Sequence, residues 1–357
     1  MTSQTPASQP AEATASAQRL RRLRRRLAWL LVLGAYAALA FGWLVPIELS
    51  DSRPIQWAVW AAFMVRTFTF QAGIAVAFVA LYALALRLWK PLLACVPLLC
   101  FTLGPVSASL LPKNPTTLSG DSITLMSCNL MVGSRSHDEV LKYIAERDPD
   151  VIFFQEYSPL SHEVLQQALK DKYAHIITGS REDAFGQGVY SKLAPVEQPK
   201  IFPPLSTRAK TKGISSIAEP QIRLVVKIGE REVVLQNVHD MPPSSATLLQ
   251  EQVRYFHWLR DFVENEPRPV ILAGDFNTTP ATTGMQSLAA QGFRNSHALA
   301  GTGRGSTWVD LTWLRHLPGV RIDHVLMSKE LSCDFAEVGP SNGSDHRPIV
   351  ARVGFER

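Results

Sequence analysis

The chain has 357 residues, enough for two units of ordinary size, and a formal net charge of +5. The charge is uneven: residues 1–111 hold ten Lys/Arg against three Asp/Glu, and residues 112–357 hold 26 against 28. The basic excess lies wholly in the N-terminal part, and the larger part lacks the basic footprint of a nucleic-acid-binding domain.

Residues 1–18 are rich in Ser, Ala, Thr and Gln and are expected to be disordered. Six arginines follow between Arg19 and Arg26, so 1–26 reads as a basic cytoplasmic tail. Residues 27–47, 67–86 and 91–111 carry no charge, and each is long enough to cross a bilayer core. The last contains internal prolines, which a membrane helix tolerates. The short "WAVWAAFMV", 57–65, reads as a helix lying at the interface. The region 27–111 is thus expected to hold about three transmembrane helices. Arg87 and Lys90 flank the second turn on the same side as the arginine cluster. The positive-inside rule then leaves residue 112 onward outside. The expected location is the inner (cytoplasmic) membrane, multi-pass, with the following domain on the periplasmic or extracellular side. A signal peptide cleaved after "ALA" at 38–40 is the rival, with an unusually long polar leader. It leaves the domain outside as well.

Residues 112–121 read as a linker of Pro, Ser, Thr and Asn. From 122 to 357, strand-like and helix-like runs interleave. "SITLMSCNLMV", "VIFFQEY", "HIITG", "GQGVYSKL", "IRLVVKIGE", "REVVLQNVHD", "RPVILAGDFN", "RIDHVLMS" and "RPIVARVGF" read as strands. "HDEVLKYIAERDPD", "EVLQQALKDKY" and "SATLLQEQVRYFHWLRDFVENE" read as helices. Several strands are joined by short turns, which predicts a layered α/β sandwich with mixed sheets. No Cys-x-x-Cys pair or zinc spacing occurs among Cys95, Cys100, Cys128 and Cys333. Cys128 is expected in the core, without a disulfide to Cys333.

Polar residues stand at the ends of these apolar runs: Asn129, Glu156, His239, Asp275, Asn277, Asp323, Asp345 and His346. In extended backbone Asp275 and Asn277 share a face, and Gly274 is expected to let the chain turn. If the strands are neighbours, the set converges at one rim. Carboxylates there suit a hard divalent cation, and a cation with histidines suits a phosphate ester. Period two sends Asp323 and His324 to opposite faces, so His324 is expected to be structural. His162, His175, His257, His297 and His316 have no such context.

The motifs "SCNL", "FQE", "NVH", "GDFN", "RIDHVLMS" and "GSDHRP" occur in the order of the endonuclease/exonuclease/phosphatase superfamily, which 122–355 resembles. The resemblance implies a four-layered α/β sandwich of the DNase-I-like type and a metal-dependent phosphoric ester hydrolase. It implies Glu156 as main metal ligand, with Asn129 and Asp345 beside it, for Mg2+ or Mn2+. It implies that Asp275 orients or deprotonates water and that Asn277 holds the phosphate and its neighbours. It also implies that His239 and His346 contact the phosphate and that Asp323 orients His346. The residues alone offer no carboxylate partner for His239. The stretch with Arg208, Lys210 and Lys212 reads as a solvated loop or a headgroup contact. Three spans before such a domain also resemble the layout of VanJ-type bacterial membrane proteins. That layout makes a lipid-linked phosphate the expected substrate. A nuclease on external DNA or RNA, or an inactive binding protein, are the alternatives.

Overall fold

The structure, a computed structural model, describes residues 9–111, 113, 116–134, 137–202, 221–310 and 318–356. Arg208, Lys210, Lys212 and His316 lie outside the described residues. The chain divides into two compact units. One takes residues up to Val45 and Met64–Ala108, and the other takes Pro46–Phe63 and Ser109 onward.

The first unit is helical. Helix α1 (Gln9–Leu44) begins inside the segment expected to be disordered and runs through the arginine cluster without a break. Ala, Gln, Glu, Leu and Arg are strong helix formers, and Pro10 falls in the first turn, where it costs no hydrogen bond. Helices α2 (Arg53–Thr67) and α3 (Thr69–Ala85) meet at a 69° bend. Helix α4 (Trp89–Ser109) carries Pro97 and Pro105 inside it. Two helices, α1 from Ser16 and α4, are long and apolar enough to cross a membrane; α2 with α3 makes a third if the bent pair is one span. Leu30, Leu33, Phe78, Leu81, Leu93 and Phe101 are exposed, so the unit is apolar outside as well as inside. The Arg66 side chain donates to the carbonyls of Gly42, Trp43 and Val45 at 2.6–3.3 Å, satisfying the end of α1.

The second unit is a sandwich. Its strands are β1 (Leu118–Asn129), β2 (Val151–Gln155), β3 (His175–Gly179), β4 (Gln187–Ser191), β5 (Lys200–Phe202) and β6 (Gln221–Ile228). They continue with β7 (Arg231–His239), β8 (Val270–Asp275), β9 (Arg294–Asn295), β10 (Asp323–Met327), β11 (Leu331–Val338) and β12 (Ile349–Glu356). One sheet has the order β11-β12-β1-β2-β4-β3, the other β5-β6-β7-β8-β10-β9. Only β1–β2 and β7–β8 are parallel pairs among the described strands. Strand β1 starts at Leu118, opposite Glu356, so it already occupies part of the stretch read as linker.

Side-chain alternation builds the layers. Leu125, Phe153, Val189, Leu235, Ile271 and Val325 face the space between the sheets. Their neighbours Met126, Phe154 and Tyr190 face outward with Ile144 and Leu165, from helices α5 (Asp138–Arg147) and α6 (Pro159–Leu169). Val234, Leu272 and Phe276 do the same with Phe256, Leu259 and Leu288 of α7 (Ala246–Asn265) and α8 (Thr283–Ala290). Serine caps start α6 and α7: Ser158 and Ser245 accept from the backbone N–H three residues on. Cys128 and Cys333 are buried and free.

Residues 46–63 belong to this second unit. Trp60 donates its indole N–H to Pro243 O at 2.8 Å, and Gln250 holds the backbone of Ser50 and Glu48. A pocket of about 180 Å3 lies there, lined among others by Ile47, Phe63, Leu249, Phe256 and Thr283.

Gly274 has a different task from the expected turn. The strand runs through it, pairing with Val238 on one side and His324 on the other. Its φ is +148°, and a Cβ would stand 1.8 Å from Val238 O. Only glycine allows that approach. Gly274→Ala is expected to cost more than about 4 kcal/mol, because rigid backbone cannot yield. Chemical denaturation of the full chain in detergent checks this, and a midpoint equal to wild type would refute it.

Candidate active site

The parallel pairs deliver the polar residues to one end of the sandwich. In the second sheet His239 stands in register with Asp275, and Asp275 with Asp323, so three strand ends form a row. In the first sheet Asn129 pairs with Gln155, and Glu156 follows directly. Glu156 and Asn277 both adopt positive φ, 52° and 49°. Such backbone is uncommon for these residues and is held by the surrounding bonds.

The two sheets meet through Asn129. Its Nδ2 donates to Glu156 Oε1 at 3.0 Å and to Asp275 Oδ2 at 3.1 Å. Its Oδ1 accepts from Met131 N at 3.0 Å, and Glu156 Oε2 accepts from Val132 N at 2.9 Å. Asp275 Oδ1 accepts from Asn277 N at 2.8 Å, and Asn277 Nδ2 donates to Asp240 O at 2.8 Å. The amide of Asn277 therefore braces the loop that carries Asp275.

His346 is placed against the row. Its Nδ1 bonds Asp323 Oδ2 at 2.9 Å, and its Nε2 lies 3.7 Å from Asp275 Oδ2. His239 Nε2 lies 3.9 Å from the same oxygen, beyond hydrogen-bond distance. His239 Nδ1 is buried without a hydrogen-bond partner among the described residues. Asp345 Oδ2 accepts from the Trp308 indole at 3.2 Å, and its charge adds to those that raise the His346 pKa. His324 faces the outer layer, between Asn295 and Thr278 O, in neutral form because burial and nearby Arg321 push its pKa down to about 3.

Burial sets the protonation pattern. It raises the Asp275 carboxyl well above the usual carboxylate range; the His346 charge opposes this and Asp323 adds to it. Burial also disfavours charge on His346, but Asp323 and Asp275 outweigh it and hold the imidazolium well above its ordinary pKa. His239 is the reverse: burial first, then the His346 charge, lowers it to about 3. The site thus pairs one charged imidazole with one neutral imidazole.

The donor set fits a divalent cation. The bridging amide of Asn129 shows that Glu156 and Asp275 aim at one point, as a shared cation requires. Three carboxylates against one imidazolium leave negative charge that burial penalises unless a cation meets it. The donors on the Glu156 side are oxygens, suited to a hard ion. Ligand-capable atoms of Asp275, Asp323 and His346 also lie within 4.8 Å of one another. In that trio, however, His346 Nδ1 is already committed to Asp323.

Some participants were not singled out from the sequence. Gln155 Nε2 donates to Asn237 Oδ1 at 2.7 Å, tying the two sheets together beneath Glu156 and His239. Phe185 lies 6.0 Å from the His239 ring, centroid to centroid. Thr307 Oγ1 accepts from the backbone of Ile322 and Asp323.

The model of the Endonuclease/Exonuclease/phosphatase family matches residues 126–346. A search of the curated proteins returned no match. Among solved structures, an endonuclease/exonuclease/phosphatase from Beutenbergia cavernae is similar at 20% identity and TM-score 0.55, covering 66% of this chain and 72% of its own. A family protein from Bacteroides thetaiotaomicron is 17% identical at TM-score 0.53, covering 69% and 97%. TDP2 of D. rerio, solved with a single-strand DNA product, is 17% identical at TM-score 0.53, covering 65% and 99%. These structures share the fold.

Proposed function

Because the chain belongs to the endonuclease/exonuclease/phosphatase family, we propose that it is a membrane-anchored, metal-dependent hydrolase that cleaves lipid-linked phosphate esters outside the cytoplasm. Members of this family are divalent-metal-dependent phosphoester hydrolases. The observation that carries the reading is the joint placement of Glu156, Asn129 and Asp275 by one shared amide, with His346 and His239 over the same oxygen.

Glu156 and Asn129, with Asp275 adjoining, would hold the ion. Bound there, a divalent ion supplies charge stabilisation at the phosphoryl oxygens. Asp275 orients a water and takes its proton as the water oxygen bonds to phosphorus. The bond from phosphorus to the ester oxygen breaks on the opposite side, and that oxygen leaves with the electron pair and takes a proton from solvent. His346, fixed by Asp323, offers an N–H and a positive charge to the phosphoryl oxygens. Neutral His239 offers an N–H without adding charge. Asn277 serves by bracing Asp275.

Location outside the cytoplasm is supported by the chain path. Residues 46–63 and the sandwich share one compact unit, which supports a topology with both on one face of the bilayer, α1 and α4 as spans and the bent α2–α3 pair returning the chain between them. The arginine cluster before α1 then stands on the other face, which the positive-inside rule makes cytoplasmic. A lipid substrate suits a site tethered near a bilayer, where headgroups are at high effective concentration. The net charge of −2 over residues 112–357 suits duplex DNA poorly.

The test uses the purified full chain with Mg2+, assayed side by side on isoprenyl phosphate, a generic phosphodiester and plasmid DNA. Phosphate release from the lipid is expected. Nicking of plasmid alone would overturn the lipid reading in favour of a tethered nuclease. Sidedness is tested in intact cells by labelling a cysteine introduced on the sandwich surface with an impermeant maleimide. Labelling is expected, and protection until lysis would reverse the orientation.

A further inference from the structure

We propose that Lys113 and Arg321, with Arg304 beside them, form a binding site for the phosphate group of an anionic phospholipid headgroup, where the chain leaves its last apolar helix. The inference rests on the membrane part of the proposed function.

Geometry places the site. Ser109 ends α4, and its carbonyl accepts from Gly303 N at 3.1 Å. The loop of Arg304 is therefore fastened to the last residue of that helix. Lys113, four residues further on, donates its Nζ to His297 O at 2.5 Å. Gly301 and Gly305 wrap the His297 ring so closely that a Cβ on either would stand 2.2 or 2.4 Å from it. Arg304 also donates to Gly319 O, two residues before Arg321. Four residues of extended chain reach no more than about 14 Å. Lys113 thus lies within headgroup distance of the end of the helix.

Charge supplies the second observation. Arg321 Nε is buried with no hydrogen-bond partner among the described residues, although the residue keeps some exposure. No described carboxylate supports its charge: burial alone acts on it, lowering its pKa to about 10. Asp323 and Glu337 line the same pocket as Arg321, but neither offsets the effect of burial on it. Burial and then Arg321 depress Lys113. Burial and then Arg321 also hold His297 neutral, near 4. Two cations sharing one half-buried place, with no described carboxylate raising either of them, is a costly arrangement that an anion relieves. A guanidinium and an ammonium are the usual phosphate partners. At a membrane face the abundant phosphate is that of a lipid, and each basic residue there contributes about 1 kcal/mol of attraction.

Native mass spectrometry of the detergent-solubilised full chain in excess EDTA tests the site without any hydrolysis. Phosphatidylglycerol is titrated against phosphatidylcholine, for wild type, Arg321→Gln, Lys113→Gln and the exposed control Lys227→Gln. Wild type and the control are expected to retain phosphatidylglycerol in preference. Each site variant is expected to bind it about five-fold more weakly, the equivalent of one lost surface charge. Equal retention by all four proteins overturns the proposal. Inorganic phosphate forms the second arm. Phosphate binding as tight as that of the lipid marks a free-anion site and also overturns it. Lys113→Gln alters a half-exposed side chain and keeps the test decisive if Arg321→Gln does not fold. A full chain that fails to partition into membranes would instead sink the membrane reading beneath it.

Discussion

Asp275→Asn is expected to lower kcat on a phosphate ester by about 10^3-fold, within the range for loss of a general base. The carboxylate is 1% exposed and is the point on which the site converges: Asn129, His346 and His239 all approach its Oδ2. The replacement keeps shape and the Oδ1 bond from Asn277 N, but removes the proton acceptor and one of the charges that hold a cation. The effect belongs in kcat, because the water rather than the bound ester loses its partner. Steady-state kinetics with saturating Mg2+ check it. A kcat within ten-fold of wild type would remove Asp275 from the chemistry. Unfolding midpoints measured in parallel separate a catalytic loss from a folding defect.

Asp323→Asn is expected to cost 10^2-fold or more in kcat, on the order of a lost acid–base partner, and about 3–5 kcal/mol of stability. Asp323 fixes His346 through a 2.9 Å bond between two side chains that are 2% and 4% exposed. Removing it leaves a buried imidazole beside Asp275 with less reason to stay charged. The sign of the pH effect follows. His346 has a raised pKa in the folded protein. Its stabilising contribution is therefore complete below the unfolded value of about 6.5 and fades as pH rises through the folded one. The stability gap between wild type and variant should be widest near pH 6 and should narrow on the alkaline side. The alkaline limb of the variant's pH–rate profile should move toward neutrality. A gap that stays constant across that range would mean that the pair is not its source.

The period-two pattern carried much of this in advance. Asp323 and His324 fall on opposite faces as alternation requires, one toward His346 and the other toward Thr278 in the outer layer. Strand ends rich in polar residues marked the rim, and the layered sandwich followed from strands and helices alternating with short turns. Register across strands is another matter. That His239, Asp275 and Asp323 stand in one row depends on pairing between segments 36 and 48 residues apart, which no local pattern encodes. The bond from Gln155 to Asn237 crosses between sheets and needs both registers at once. Gly274 was legible as special, but its reason was not: the crowding comes from Val238 of a neighbouring strand. The stretch 46–63 looked like part of the membrane region by hydropathy. Its place in the sandwich unit depends on Trp60 finding Pro243 and on Gln250 finding Ser50. Asp345 stood beside His346 in sequence, but the bond from the Trp308 indole to its Oδ2 depends on a long-range contact that no local pattern encodes.

The position of the metal decides the mechanism. Crystals of the full chain grown with Mn2+ and measured at the manganese edge locate it directly. An anomalous peak is expected at coordination distance from the Glu156 carboxylate, beside Asn129 and Asp275, with His346 still bonded to Asp323. A peak ligated by His346 in place of that bond, or one remote from Glu156, would contradict it.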